Sequence, residues 1–222
     1  MNNVRTMRMP FLYSRKKWLQ KSNTFTSSVV RPASKAEQIA DEVIHVFETR
    51  GAEDYFAGPV SQASHMVQCA MLAMESFSEL PVIIGALLHD IGHLLTHEYP
   101  TETMGKVGVT SYEAIGGAYL RTKGFSERVC AIVEQQVAAR RYLVTTDEDY
   151  KNKVSYDSLQ TLSLQGGPMS TAEAAAFEKI AYFTDIINIC RWNEQANNTN
   201  AVLVPVTWFW KLLWDHLYYR VA

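Results

Sequence analysis

The run Ala86-Leu87-Leu88-His89-Asp90-Ile91-Gly92-His93-Leu94-Leu95 constrains this chain more than any other stretch. It sets a His-Asp dyad inside an apolar segment and repeats the histidine four positions on. If the run is one helix, His89 and His93 share a face, because residues four apart stack one above the other. Asp90 then lies about 100° round from His89, within reach of the same pocket. Ile83, Ile84, Ala86, Leu87 and Leu88 lead into the dyad, and a buried aspartate is costly unless it is paired or bound to a metal. Imidazole nitrogen with carboxylate oxygen suits a first-row transition metal. The alternative is a histidine closing a helix end beside a solvated aspartate. The apolar approach and the following Gly92-His93 favour the metal.

The remaining bounds are permissive. At 222 residues, 47% hydrophobic and 20% charged, the chain suits one globular domain with a substantial core. A net charge of −2 argues against nucleic acid as a partner. Cys69, Cys130 and Cys190 are odd in number and widely spaced, so a disulfide framework is not expected. An intracellular, reducing compartment is, either cytoplasmic or mitochondrial. No apolar run has the length of a membrane span, so no membrane association is expected. Eight basic residues (Arg5, Arg8, Arg15, Lys16, Lys17, Lys21, Arg31 and Lys35) precede the first acid, Glu37. Residues 1–33 therefore read as a basic flexible segment, either a tail or a transit peptide, and residues 34–222 as the folded domain.

The pattern in that domain is helical throughout. Ser34-Lys35-Ala36-Glu37 is a capping box, followed by Ile39, Val43, Ile44 and Phe47 at helical period and by Gly51 as a stop. After a loop over residues 52–58, a helix carries His65, Cys69 and Leu72 on one side. Pro81 opens the helix that ends in the dyad. Thr110 to Glu113 opens a helix closed by Gly124, and Ser126 opens one with Val129, Ile132, Val133 and Val137 as its buried stripe. Helices follow over residues 156–164, from the capping box Ser170 to Glu173 through Phe177, over 180–196, and over 205–219. Trp208, Phe209, Leu212, Leu213, Leu217 and Tyr218 in the last read as core. The fold class is all-α, a single bundle.

Several short motifs, taken in order, carry a resemblance. They are Pro59-Val60-Ser61-Gln62 with His65, His89-Asp90-Ile91-Gly92-His93, Glu113-Ala114-Ile115-Gly116 and Val137-Ala138-Ala139-Arg140-Arg141-Tyr142-Leu143. Gln165-Gly166-Gly167-Pro168-Met169-Ser170 and Arg191-Trp192-Asn193 complete the set. The chain resembles the HD-domain superfamily, and within it the mixed-valence diiron oxygenases that cleave hydroxyphosphonates.

The resemblance implies an HD-domain helical bundle and a set of site residues. The first iron would be held by His65, His89, Asp90 and the position of Asn193, where the family has aspartate. The second would use the positions of Tyr112 and Gln136, where the family has histidines, with Asp90 bridging. Tyr112 could ligate only as a phenolate, whose unperturbed pKa is near 10. Gln136 and Asn193 offer neutral amide oxygens. His93, Arg140, Ser158 and Cys190 match substrate positions; Arg140 keeps a positive charge and Cys190 has lost one, with Arg191 next door. Tyr55 matches a catalytic and substrate-closing loop position alongside His93, and the glutamate of that loop is Gly58 here. His97 extends the His93 face and reads as a helix-end residue.

These substitutions imply a retained scaffold with an altered site. It would hold one iron ion or none and a small oxyanion or phosphonate-like ligand, without diiron oxygenase activity. An active iron oxygenase on a hydroxylated organophosphonate or polyol is one alternative, and a metal-dependent phosphohydrolase is another. Tyr112 and Gln136 are expected to hydrogen-bond across the second metal position and to satisfy the free oxygen of Asp90.

Overall fold

The computed structural model describes residues 33–55, 59–95, 111–154 and 156–221. The basic segment up to Pro32, Gly58, His97 and Thr110 lie outside the described residues. Ala33–Ala222 forms one unit. Among the described residues it is built of helices, with a single isolated antiparallel bridge between Asp54 and Ser61. None of these helices is long and apolar enough to cross a membrane.

Helix starts follow their caps. Ser34 and Glu37 form the anticipated reciprocal box at the head of α1 (Lys35–Arg50), and Gly51 follows its end. Ser61 caps α2 (Gln62–Glu75), and α3 (Leu80–Leu88) carries Pro81 in its first turn. Ser126 caps α6 (Glu127–Glu134), and the Ser170–Glu173 box opens α10 (Thr171–Phe177). Each such cap contributes about 1 kcal/mol. α9 spans Tyr156–Leu164, as anticipated.

Other boundaries differ, each for a local reason. The dyad does not lie within one continuous helix. α3 ends at Leu88, His89 is its C-cap with helical φ and ψ, and a separate short α4 covers Ile91–Leu95. The helix opening after the undescribed loop, α5 (Tyr112–Thr122), has Ser111 at its N-cap in the left-handed region (φ 63°), with no side-chain cap bond. The helix expected from Ser126 through Val137 breaks at Gln135, and α7 (Gln136–Thr146) begins there; Val137 is only half-buried. An unanticipated single turn, α8 (Glu148–Lys151), is capped by Asp147. α11 covers Phe183–Gln195, later than expected because Tyr182 is left-handed (φ 62°). The C-terminal helix enters through a 3-10 turn, Val206–Phe209, before α12 (Trp210–Val221). Phe209, Leu213 and Leu217 are core residues as expected, but Trp208 and Tyr218 are exposed and Leu212 is half-buried.

α3 is the central element. Val82, Ile84, Ala86, Leu87 and Leu88 are all buried on it, and it packs against α2, α6, α11 and α12. A helix apolar on nearly all sides belongs inside a domain. Its C-terminal end therefore delivers His89 and Asp90 to the interior. α4 packs on α5 through Gly92, where a Cβ would run into the Tyr112 carbonyl. That backbone approach brings Tyr112 beside the dyad.

Candidate metal centre

His65 comes from the first turns of α2, and His89 and Asp90 from the α3–α4 break. All three are buried. The His65 and His89 Nε2 atoms lie 3.2 Å apart. Asp90 Oδ2 is 3.7 Å from His65 Nε2 and 3.4 Å from His89 Nε2. Metal–donor bonds of about 2.1 Å place neighbouring donors about 3.0–3.4 Å apart. The triad is at that spacing or slightly beyond it.

The outer faces of both rings explain their orientation. His65 Nδ1 is 3.0 Å from the Ala196 carbonyl and His89 Nδ1 is 2.8 Å from the Ala86 carbonyl. A carbonyl only accepts, so each Nδ1 carries its proton and, in the neutral ring, each Nε2 presents a lone pair. Two lone pairs then face each other beside a carboxylate, an arrangement that a shared cation relieves. Asp90 Oδ1 is also buried without a hydrogen-bond partner, which is costly for a carboxylate unless a cation supplies the contact. The donor set and its orphaned oxygen fit a divalent first-row metal.

The electrostatics agree. Burial, reinforced by His89, pulls the His65 pKa down to about 3. Burial works against the charged form of His89 as well, but Asp90 and Cys69 together move the pKa of His89 up. Burial opposes the Asp90 carboxylate, yet His89 holds its pKa well below the usual range. Without metal these directions pair the Asp90 carboxylate with a proton on His89, the place that a bound cation would take.

Asn193 lies in the last turns of α11, buried. Tyr55 stacks on His65 (centroids 3.8 Å, 13° between planes) and its hydroxyl donates to Asn193 Oδ1 at 3.3 Å. Asn193 Nδ2 has no hydrogen-bond partner. One turn on, Ala196 supplies the carbonyl that orients His65. The end of α11 is thereby tied to the triad by two contacts. Burial, then the Asp90 charge, raise the Tyr55 pKa well above its usual value, so its hydroxyl stays protonated.

The second metal position contains no pair of imidazoles. Tyr112 stacks on His93 (centroids 3.9 Å, 25°). Burial and Asp90 push its phenol pKa well up, so the metal-free phenol is protonated. Burial lowers the pKa of His93. The expected hydrogen-bonded plug of Tyr112, Gln136 and Asp90 is not formed. Gln136 Nε2 donates to the Ile132 carbonyl at 2.7 Å, while Gln136 Oε1 and Asp90 Oδ1 are both without partners. The reason is local. α6 ends at Glu134, so Ile132 has one of the helix-end carbonyls that need a donor, and Gln136, four residues on, provides it.

Arg140 and Ser158 are buried on α7 and α9. Arg140 acts electrostatically on His65, His93, Tyr55 and Tyr112. Its Nε has no hydrogen-bond partner and lies 3.6 Å from Glu194 Oε1. Glu194 also accepts from the Tyr150 hydroxyl at 3.1 Å, and that hydroxyl is 3.4 Å from Cys190 Sγ. Burial pushes the Cys190 thiol up to about 11. Ser158 is buried on a helix that adjoins α7. Arg191 turns away to pair with Asp147 at 2.6 Å.

The sequence pattern assigns no role at the site to Glu194, Tyr150 or Cys69. Cys69 acts on His89 through its thiol. Its one available signal is the four-residue spacing from His65 on α2. Glu194 adjoins Asn193 but carries no motif, and Tyr150 lies on a helix that the pattern did not reveal.

Comparison with known proteins supplies the family. The HD domain profile matches residues 63–155. The chain is 37% identical over 163 residues to the glycine-betaine-forming [1-hydroxy-2-(trimethylamino)ethyl]phosphonate dioxygenase of Leisingera caerulea, covering 73% of this chain and 82% of that protein. It is 33% identical over 144 residues to the hydroxymethylphosphonate dioxygenase of Gimesia maris, covering 65% and 71%. An uncharacterised protein of Acanthamoeba polyphaga mimivirus is 33% identical over 180 residues, covering 81% and 82%. With the His65–His89–Asp90 cluster in place, the chain belongs to the HD-domain family, in the group that includes the hydroxyphosphonate dioxygenases.

Proposed function

We propose that this chain holds a single divalent metal ion, iron by family resemblance, on His65, His89 and Asp90, with Asn193 as a neutral fourth neighbour. It binds a small oxyanion beside that ion and does not carry out the two-iron oxygenase reaction. The observation that carries this reading is the contrast at Asp90. One of its oxygens faces the Nε2 atoms of two imidazoles, whereas the second position offers a protonated phenol stacked on His93 and an amide whose nitrogen is bonded to the end of the preceding helix. When bound, the ion supplies an electrophilic centre for a ligand oxygen. Arg140, with an unpartnered buried donor, supplies the charge-assisted contact to the anionic end. Tyr55 and His93 line the ligand side, Tyr55 fixed by its bond to Asn193, and Ser158 is assigned a ligand-side hydroxyl.

The intact triad and the two dioxygenase relatives favour one second reading, an active iron oxygenase acting on a hydroxylated organophosphonate or polyol. Oxygen uptake separates the two. Iron-loaded protein with hydroxymethylphosphonate is expected to consume no oxygen above the iron-only control. Uptake that tracks substrate added, with phosphate released, establishes the second reading instead.

A further inference from the structure

We propose that the ligand pocket selects a singly charged hydroxycarboxylate over a doubly charged hydroxyphosphonate. This rests on the single-metal reading above and names the anion class that such a site accepts. The described residues bring together the charged side chains Asp90, Arg140 and Glu194, with Glu113 within electrostatic reach of Asp90. Asp90 and Arg140 are nearly fully buried, and the Glu194 side chain is 19% exposed. Glu194 Oε1 faces Arg140 Nε at 3.6 Å and is fixed there by the Tyr150 hydroxyl at 3.1 Å. The Tyr150 hydroxyl also lies 3.4 Å from the Cys190 thiol, one turn earlier on α11.

The consequence is a charge limit. With one divalent ion, two carboxylates and one guanidinium, the pocket carries a single net positive charge. Glu113, within electrostatic reach of Asp90 and with a buried unpartnered Oε2, only lowers it. Such a site matches at most one negative charge, and a dianion leaves it with an uncompensated buried charge, which is costly. Arg140 is also partly neutralised by Glu194, so its fork suits one carboxylate or one phosphonate oxygen edge, not a second charge. The metal and Arg140 together present an electrophile for a hydroxyl and a cation for a monoanion, the two ends of a 2-hydroxy acid.

Glycolate and hydroxymethylphosphonate form a matched pair for the test, differing in the charged group while sharing the hydroxymethyl end. Titration calorimetry on metal-loaded full-length protein, at a pH above the second ionisation of the phosphonate, measures both. Glycolate is expected to bind at least tenfold more tightly. Glu194→Gln removes one negative charge and should shift the ratio on the order of tenfold toward the phosphonate. Equal or tighter binding of hydroxymethylphosphonate by the unaltered protein overturns the inference and leaves the single-metal oxyanion reading standing. So does an unchanged ratio in a folded Glu194→Gln variant. Failure of both ligands to bind the metal-loaded protein overturns that reading as well as the inference.

Discussion

The two corners of the pocket share Asp90 but are built on different principles. At the first corner, two imidazoles have their outer nitrogens tied to the Ala86 and Ala196 carbonyls, so their inner lone pairs converge. At the second, Tyr112 is held by a ring stack on His93 and Gln136 by a bond to Ile132. Among the described residues no donor reaches Asp90 Oδ1, which is left without a partner. Retention of a metal site is then expected to depend on the backbone carbonyls that orient the imidazoles as well as on the ligands themselves. Orientation of an imidazole by its second nitrogen typically affects metal affinity 10–100-fold.

The largest expected effect lies at the first corner. Asp90→Asn or His89→Ala should weaken iron(II) binding by more than about a hundredfold, beyond what loss of an outer contact causes. Gln136→Ala should leave that affinity within about threefold of the unaltered protein, since its side chain serves the end of α6. Competitive titration with a coloured chelator measures both, and similar losses in the two variants would erase the distinction between the corners. The triple change Tyr112→His, Gln136→His and Asn193→Asp should create a second iron equivalent, with turnover lagging behind binding.

Next in size is the backbone contact that joins the corners. Gly92→Ala would drive a Cβ into the Tyr112 carbonyl, a backbone atom that cannot swing aside. A loss of about 3 kcal/mol is expected, read as a fall in urea midpoint at unchanged slope. A loss below about 1 kcal/mol would mean that α4 and α5 separate easily and that the second corner is not rigidly placed.

The Cys190 thiol, pushed up to about 11 by burial, should resist iodoacetamide at pH 8 until denaturant exposes it. Fast labelling of folded protein would show that the Arg140–Glu194 side of the pocket opens to solvent. The smallest effect lies away from both corners. The Ser170 backbone N–H and Arg141 hold the Glu173 pKa at about 2. Its folded value is below the unfolded one, so its contribution is present above about pH 4.5 and is lost as pH falls toward 2. Glu173→Gln should flatten the acid limb of the stability curve slightly and leave metal binding untouched.

The parts legible in the sequence are those with a local cause. Ser34-Glu37 and Ser170-Glu173 marked helix starts because a cap is a contact between near neighbours. His89 and Asp90 are recognisable because a His-Asp dyad inside an apolar run has few other uses, and His65 enters through the motif resemblance. The parts that escaped depend on backbone breaks or distant partners. The α3–α4 break at the dyad falls in an apolar run whose period does not change. Gln136 looked like a partner for Tyr112, but the break at Gln135 gave it a nearer acceptor. The Arg140–Glu194 pair spans two helices and has no pattern along the chain.

The central claim is that one corner binds metal and the other does not. Iron(II) titration of the purified full-length protein under anaerobic conditions, with metal per chain determined by elemental analysis after removal of unbound ion, tests it most directly. One iron per chain, abolished by Asp90→Asn and unaffected by Gln136→Ala, is the predicted result. Two irons per chain, or one that survives removal of both His65 and His89, would contradict it.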